Sequence, residues 1–229
     1  MIIKKAFNYF SAAEKTLWGM SLLLIIVSFC IFDRENYLTL SASIIGSTSL
    51  ILNAKGNPSG QVLTVIFSLF YGVISYIFSY YGEMITYLGM TAPMAIIALV
   101  SWLKNPYNGN RAEVEVNSLS GWEIVLALVL SAIVTAVFYF ILKYMNTANL
   151  IPSTISVTTS FLAVYLTFRR SPLYAIAYGL NDIVLIVLWS MAAAQDISYL
   201  SVIICFVMFL ANDIYGYINW TRVHERQKA

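Results

Sequence analysis

The chain has 229 residues, 60% of them apolar and 10% charged, with 13 Lys and Arg against 11 Asp and Glu for a formal net charge of +2. Soluble domains carry about 25% charged residues, so this composition excludes an ordinary soluble fold. The near balance of charge lacks the basic field that nucleic acid requires, so nucleic acid is not an expected partner and the lipid bilayer is.

A helix crosses the hydrocarbon with about 20 mostly apolar residues, and the apolar runs predict an all-α membrane protein with about eight transmembrane helices. The first run, 15–32, is followed by Asp33-Arg34-Glu35 with no small-residue cleavage site, so it reads as a span and not a signal peptide. Cys30 and Cys205 both lie in apolar runs and read as small hydrophobes, neither disulfide partners nor metal ligands. The remaining spans are expected at 37–54, 60–81, 84–103, 122–143, 153–169, 173–194 and 197–220. Pro58, Pro152 and Pro172 precede or open spans three, six and seven, where a missing N–H costs nothing. Pro106 follows span four, whereas Pro93 falls inside it and predicts a kink. The polar stretch from Asn105 to Gly121 reads as a connection between two halves.

Orientation follows from the cations, which are retained in cytoplasmic loops. Lys4, Lys5, Lys15, Lys55, Lys104, Arg111, Arg169, Arg170, Arg222, Arg226 and Lys228 fall on one side, and only Arg34 and Lys143 on the other. Both termini are therefore expected in the cytoplasm, with the chain multi-pass in the inner membrane.

The chain overlays itself at an offset of about 112–114 residues, the length of four spans. Lys55-Gly56-Asn57-Pro58 falls near Arg169-Arg170-Ser171-Pro172 and Tyr87-Leu88 falls on Tyr199-Leu200, while a gap sets Trp102 beside Trp220. An even number of spans per copy gives a parallel repeat, typical of transporters with a site between halves near the midplane.

Polar residues inside spans need a partner in protein, water or ligand. Span three carries Gln61, Thr64, Ser68, Tyr71, Ser75 and Ser79 at helical spacing, span four adds Tyr87 and Thr91, and span six adds Thr154, Thr158 and Tyr165. In span seven Tyr174, Tyr178, Asn181, Asp182 and Trp189 form a stripe; in span eight Asn212, Tyr215 and Asn219 share a face beside Asp213. Ser and Thr hydroxyls often only bond to their own helix. Trp102, Trp122 and Trp220 read as interfacial anchors, and Glu83 as an interfacial residue at the outer end of span four. An intramembrane carboxylate costs roughly 2.5–3.5 kcal/mol, and no cation lies at the depth of Asp182 or Asp213. Carboxylates with amide and aromatic neighbours suit a planar, polar small-molecule solute, including a cationic one. The sole histidine, His224, lies in the tail, so an enzyme is not expected, and no cofactor or metal site is predicted.

At Tyr87-Leu-Gly-Met-Thr-Ala-Pro-Met94, Ser101-Trp-Leu-Lys-Asn-Pro-Tyr107, Asn181-Asp-Ile-Val-Leu-Ile-Val-Leu-Trp189 and Asn212-Asp-Ile-Tyr-Gly-Tyr-Ile-Asn-Trp220 the chain resembles the PnuC family of vitamin transporters, over about residues 37–222. The resemblance implies a SWEET-like 3+1+3 core plus an extra N-terminal helix. Its parts would be 1–36 as tail and peripheral span, 37–104 as the first three-helix bundle, 105–151 as loop and linking helix, 152–221 as the second bundle and 222–229 as tail. It also implies uptake of nicotinamide riboside, an NAD precursor, by facilitated diffusion with a cytoplasmic riboside kinase drawing the solute inward, and a homo-oligomer such as a trimer. The alternative is proton-coupled or uniport transport of another nucleoside or B vitamin: a deoxynucleoside, thiamine or riboflavin. The substrate-binding residues expected are Ser68, Tyr71, Tyr87, Thr91, Thr158, Tyr178, Asn181, Asp182, Trp189, Asn212, Asp213, Tyr215 and Asn219. Asp182 or Asp213 would offset the ring charge while Tyr178, Trp189 or Tyr215 stacks on it. One departure is Tyr174-Ala-Ile-Ala-Tyr178, where many relatives carry a Trp-x-x-Trp pair.

Overall fold

The computed structural model of the chain describes residues 9–147 and 149–229, so Lys4 and Lys5 of the charge bias lie outside the described residues. Among the described residues eight helices are long and apolar enough to cross a membrane: α1 (Ala12–Asp33), α2 (Tyr37–Ala54), α3 (Pro58–Ile77), α4 (Tyr81–Lys104), α5 (Gly121–Tyr144), α6 (Leu150–Phe168), α7 (Leu173–Ala193) and α8 (Ile197–Lys228). Each falls on an expected span, and α8 continues past residue 220.

Local chemistry sets where they begin. Ser11 with Glu14 opens α1 and Ser120 with Glu123 opens α5, each as a capping box that satisfies otherwise orphaned N–H groups. Asn57 caps α3 with Pro58 as its first residue. In α4 a π-helical turn, Thr86–Thr91, directly precedes Pro93, which is how the helix absorbs a residue without an N–H.

Six helices close a ring: α2 packs on α3, α3 on α4, α4 on α6, α6 on α7, α7 on α8 and α8 back on α2. The other two stand outside it. α1 leans on α8 and α2, and α5 leans on α6. α5 is the most apolar of the spans and is mostly exposed, as expected of a helix facing lipid.

The long connection is more ordered than its polar composition suggested. A two-stranded hairpin, β1 (Pro106–Tyr107) with β2 (Asn110–Val114), turns at Asn108-Gly109, both with positive φ, the pairing that two-residue hairpins favour. The fold is thus helical in the membrane with a small strand pair outside it. Val114 is buried, and its N–H donates to the Gly56 carbonyl at 2.9 Å. Gly56 has φ +66°, and a Cβ there would lie 3.2 Å from the Val114 side chain. Arg226 and Gln227 of α8 bond to Glu113, so the hairpin is tied under the ring on the face where the chain ends.

Three expectations change. Trp102 and Trp220 are 0% and 1% exposed and belong to the core, whereas Trp122 is 74% exposed. Glu83 is fully buried and not interfacial, because the short first segment of α4 tucks against α3 and α6.

Candidate functional site

A cavity of about 40 Å³ lies within the ring. Its wall is built from Gly46, Ser49, Leu50 and Asn53 of α2, Thr64 and Phe67 of α3, Tyr87 and Thr91 of α4, Tyr178, Asn181 and Asp182 of α7, and Phe206, Phe209 and Asp213 of α8. That volume matches about three waters, while pockets for small-molecule ligands begin near 300 Å³.

Asp182 and Asp213 are 4% and 3% exposed, and both face the cavity. Neither belongs to an ion pair among the described residues, and one oxygen of Asp182 has no partner. The site therefore offers net acceptor capacity with no basic group to fill it.

Asn181 is held from behind by α6. The hydroxyls of Ser156, Thr159 and Ser160 converge on its Oδ1 at 3.2, 2.8 and 2.9 Å. That arrangement uses up the acceptor and leaves the amide nitrogen for the cavity. Asn53 is fixed in the same way: its Nδ2 donates to Thr64 Oγ1 at 3.0 Å, and its Oδ1 accepts from Gln61 Nε2 at 2.9 Å.

Aromatic rings close the cavity on both sides. Toward the chain ends, Tyr178 packs on Tyr174, Tyr174 on Trp220 and Trp220 on Trp102, with centroids 6.1, 4.9 and 5.4 Å apart. On the other side Tyr87 meets Tyr71 at 4.5 Å, and Tyr71 accepts a 2.6 Å hydrogen bond from Trp189 Nε1. Buried aromatic clusters thus stand on both sides of the cavity.

Of the residues singled out in the sequence, Thr64, Tyr87, Thr91, Tyr178, Asn181, Asp182 and Asp213 line the cavity. Tyr71 and Trp189 stand just beyond it in one plug. Ser68 bonds back to the Thr64 carbonyl at 2.7 Å. Thr158 meets Thr135 of α5 at 2.7 Å in the outer α5–α6 groove. Asn212 donates to Ser21 Oγ at 3.0 Å, Tyr215 to Glu14 Oε1 at 2.9 Å and Asn219 to the Ala54 carbonyl at 2.8 Å. That polar stripe of α8 faces α1 and α2, while Asp213, on the neighbouring face, turns to the cavity. Sequence reasoning missed Gly46, Ser49, Asn53, Phe67, Phe206 and Phe209. Asn53, an amide in an apolar run, was the one legible signal among them.

The profile of the nicotinamide mononucleotide transporter family matches residues 36–222. The chain is 27% identical over 203 residues to the nicotinamide riboside transporter PnuC of Neisseria mucosa, covering 87% of this chain and 77% of that protein. It is 24% identical over 196 residues to the protein of that name from Haemophilus influenzae, covering 84% and 82%. A crystal structure of the vitamin B3 transporter PnuC superposes with a TM-score of 0.83 at 26% identity, covering 95% of this chain and 94% of that one.

Proposed function

We propose that this chain, which belongs to the nicotinamide mononucleotide transporter family, carries nicotinamide riboside inward across the cytoplasmic membrane by facilitated diffusion. The observation that carries the reading is the pairing of Asp182 and Asp213, without a basic partner, in a cavity walled by Tyr87, Tyr178, Phe67, Phe206 and Phe209. Nicotinamide riboside is a flat cationic ring bearing ribose hydroxyls. Aromatic faces hold such a ring, carboxylates offset its charge and the Asn181 amide bonds a hydroxyl or the carboxamide.

Transport by this route requires the two aromatic plugs to open in turn, since the cavity is too small for the solute. We read α2–α4 and α6–α8 as the two halves that rock about the site, with α5 linking them and both termini in the cytoplasm. Each half supplies three helices to the ring. An inside-negative potential favours entry of a cation by about 2.3 kcal/mol per 100 mV, and cytoplasmic phosphorylation of the riboside would hold it inside. Counterflow of labelled nicotinamide riboside in proteoliposomes without any ion gradient tests this. Exchange is expected; its absence rules out uniport.

A second reading, proton-coupled transport, is favoured by the burial of Asp182 and Asp213 in one cavity without a basic partner, because a proton carried on either would be displaced by an entering cation. Under that reading Asp182→Asn abolishes accumulation against a gradient while sparing exchange.

A further inference from the structure

On the face opposite the chain ends, the end of α1, the start of α2, the end of α3 and the start of α8 surround a concavity of about 360 Å³. Asp33, Glu35, Asn36, Thr39, Phe78 and Tyr199 line it. Unlike the central cavity, it already has the size of a small-molecule site. It joins two carboxylates to two aromatic rings and has no basic side chain in its wall. The adjacent Arg34 has its Nε donated to the Cys30 carbonyl at 2.6 Å. Asp196, whose carboxylate is held below its usual range by the Ser198 N–H, adds a third negative charge beside Asp33. Thr39 is 6% exposed, and its hydroxyl has no partner.

A chain of ring contacts runs from this concavity toward the central cavity. Phe78 and Tyr199 lie 5.2 Å apart and both pack on Trp189, at 5.8 and 5.5 Å. Trp189 bonds to Tyr71, and Tyr71 packs at a tilt against Tyr87 in the cavity wall.

We propose that the concavity is an outer recognition site for a flat organic cation, which docks on Phe78 and Tyr199 against Asp33 and Glu35 before the Trp189–Tyr71 plug opens. The proposal rests on the reading of the solute given above. Carboxylates at the mouth, Glu35 exposed and Asp33 half-buried, concentrate a cation and raise its rate of capture, an effect that salt screens. Aromatic faces add a cation–π attraction.

The test is the initial rate of labelled nicotinamide riboside uptake into proteoliposomes at low and at physiological ionic strength, for the wild type and the double variant Asp33→Asn with Glu35→Gln. The expected result is a KM raised about three- to tenfold at low salt, with the loss falling on KM and not on the maximal rate, and a KM that responds more weakly to salt than the wild type's because only Asp196 remains. A variant with the wild-type KM and the wild-type salt response overturns the proposal. Tyr199→Leu keeps the carboxylates and is expected to raise KM independently; if the charge variant fails to fold, an unchanged KM for Tyr199→Leu overturns the proposal instead. A wild-type protein that takes up no nicotinamide riboside defeats the solute reading and this site with it, whereas normal uptake with indifferent variants defeats the outer site alone.

Discussion

Trp102 in α4 and Trp220 in α8 meet with ring centroids 5.4 Å apart, and each anchors its half of the ring to the other. Trp102 Nε1 donates to the Thr167 carbonyl near the end of α6 at 3.0 Å, and Trp220 Nε1 donates to the Asn53 carbonyl near the end of α2 at 2.8 Å. Trp220→Phe removes one buried hydrogen bond and is expected to cost ~1 kcal/mol. Trp220→Ala also leaves a hole under Tyr174 and is expected to cost about 3–5 kcal/mol. Thermal melting in detergent ranks the two variants; equal melting points would contradict the packing role.

Gly46 lines the cavity where a Cβ would lie 2.4 Å from the Phe209 ring and 2.9 Å from that of Phe67. Gly46→Ala must push one ring aside, at a cost of about 1–3 kcal/mol. The account predicts a lower melting temperature and a raised KM for uptake. Unchanged uptake kinetics would mean that the α2 wall does not meet the solute.

Glu14 ties α1 to the ring. Its carboxylate accepts from Lys55 Nζ at 3.0 Å and from the Tyr215 hydroxyl at 2.9 Å, and its side chain is 3% exposed. Glu14→Gln is expected to destabilise by about 1.5–3 kcal/mol, the range for hydrogen bonds to a charged group. Since α1 lies outside the ring, the KM for the solute should hold while the melting temperature falls. A changed KM at wild-type stability would place α1 in the transport cycle.

The spans were legible because hydropathy and length are set by the bilayer, and Pro58, Pro93 and Pro172 act through the backbone alone. The α8 stripe of Asn212, Tyr215 and Asn219 was legible as a buried face but not as a contact with α1. A polar stripe reports that a face avoids lipid, and a neighbouring helix satisfies it as well as a cavity does. Thr158 misled for the same reason, while Ser156, Thr159 and Ser160, the α6 hydroxyls that hold Asn181, sit on the adjoining face. Trp102 and Trp220 looked like anchors because span-end tryptophans usually are; the hairpin pinned beneath them by Gly56 and Val114 buries both. That hairpin was legible only as a connection; Asn108-Gly109 carries its turn, but its docking depends on contacts remote in sequence.

The site rests on Asp182 and Asp213, the two buried carboxyls that share the cavity. Removing a charge partner from a desolvated site costs about 2–5 kcal/mol of binding. The most direct measurement is calorimetric titration of nicotinamide riboside into purified wild type, Asp182→Asn and Asp213→Asn. The account predicts saturable binding to the wild type and a Kd raised at least about thirtyfold in each variant; wild-type affinity in both would contradict it.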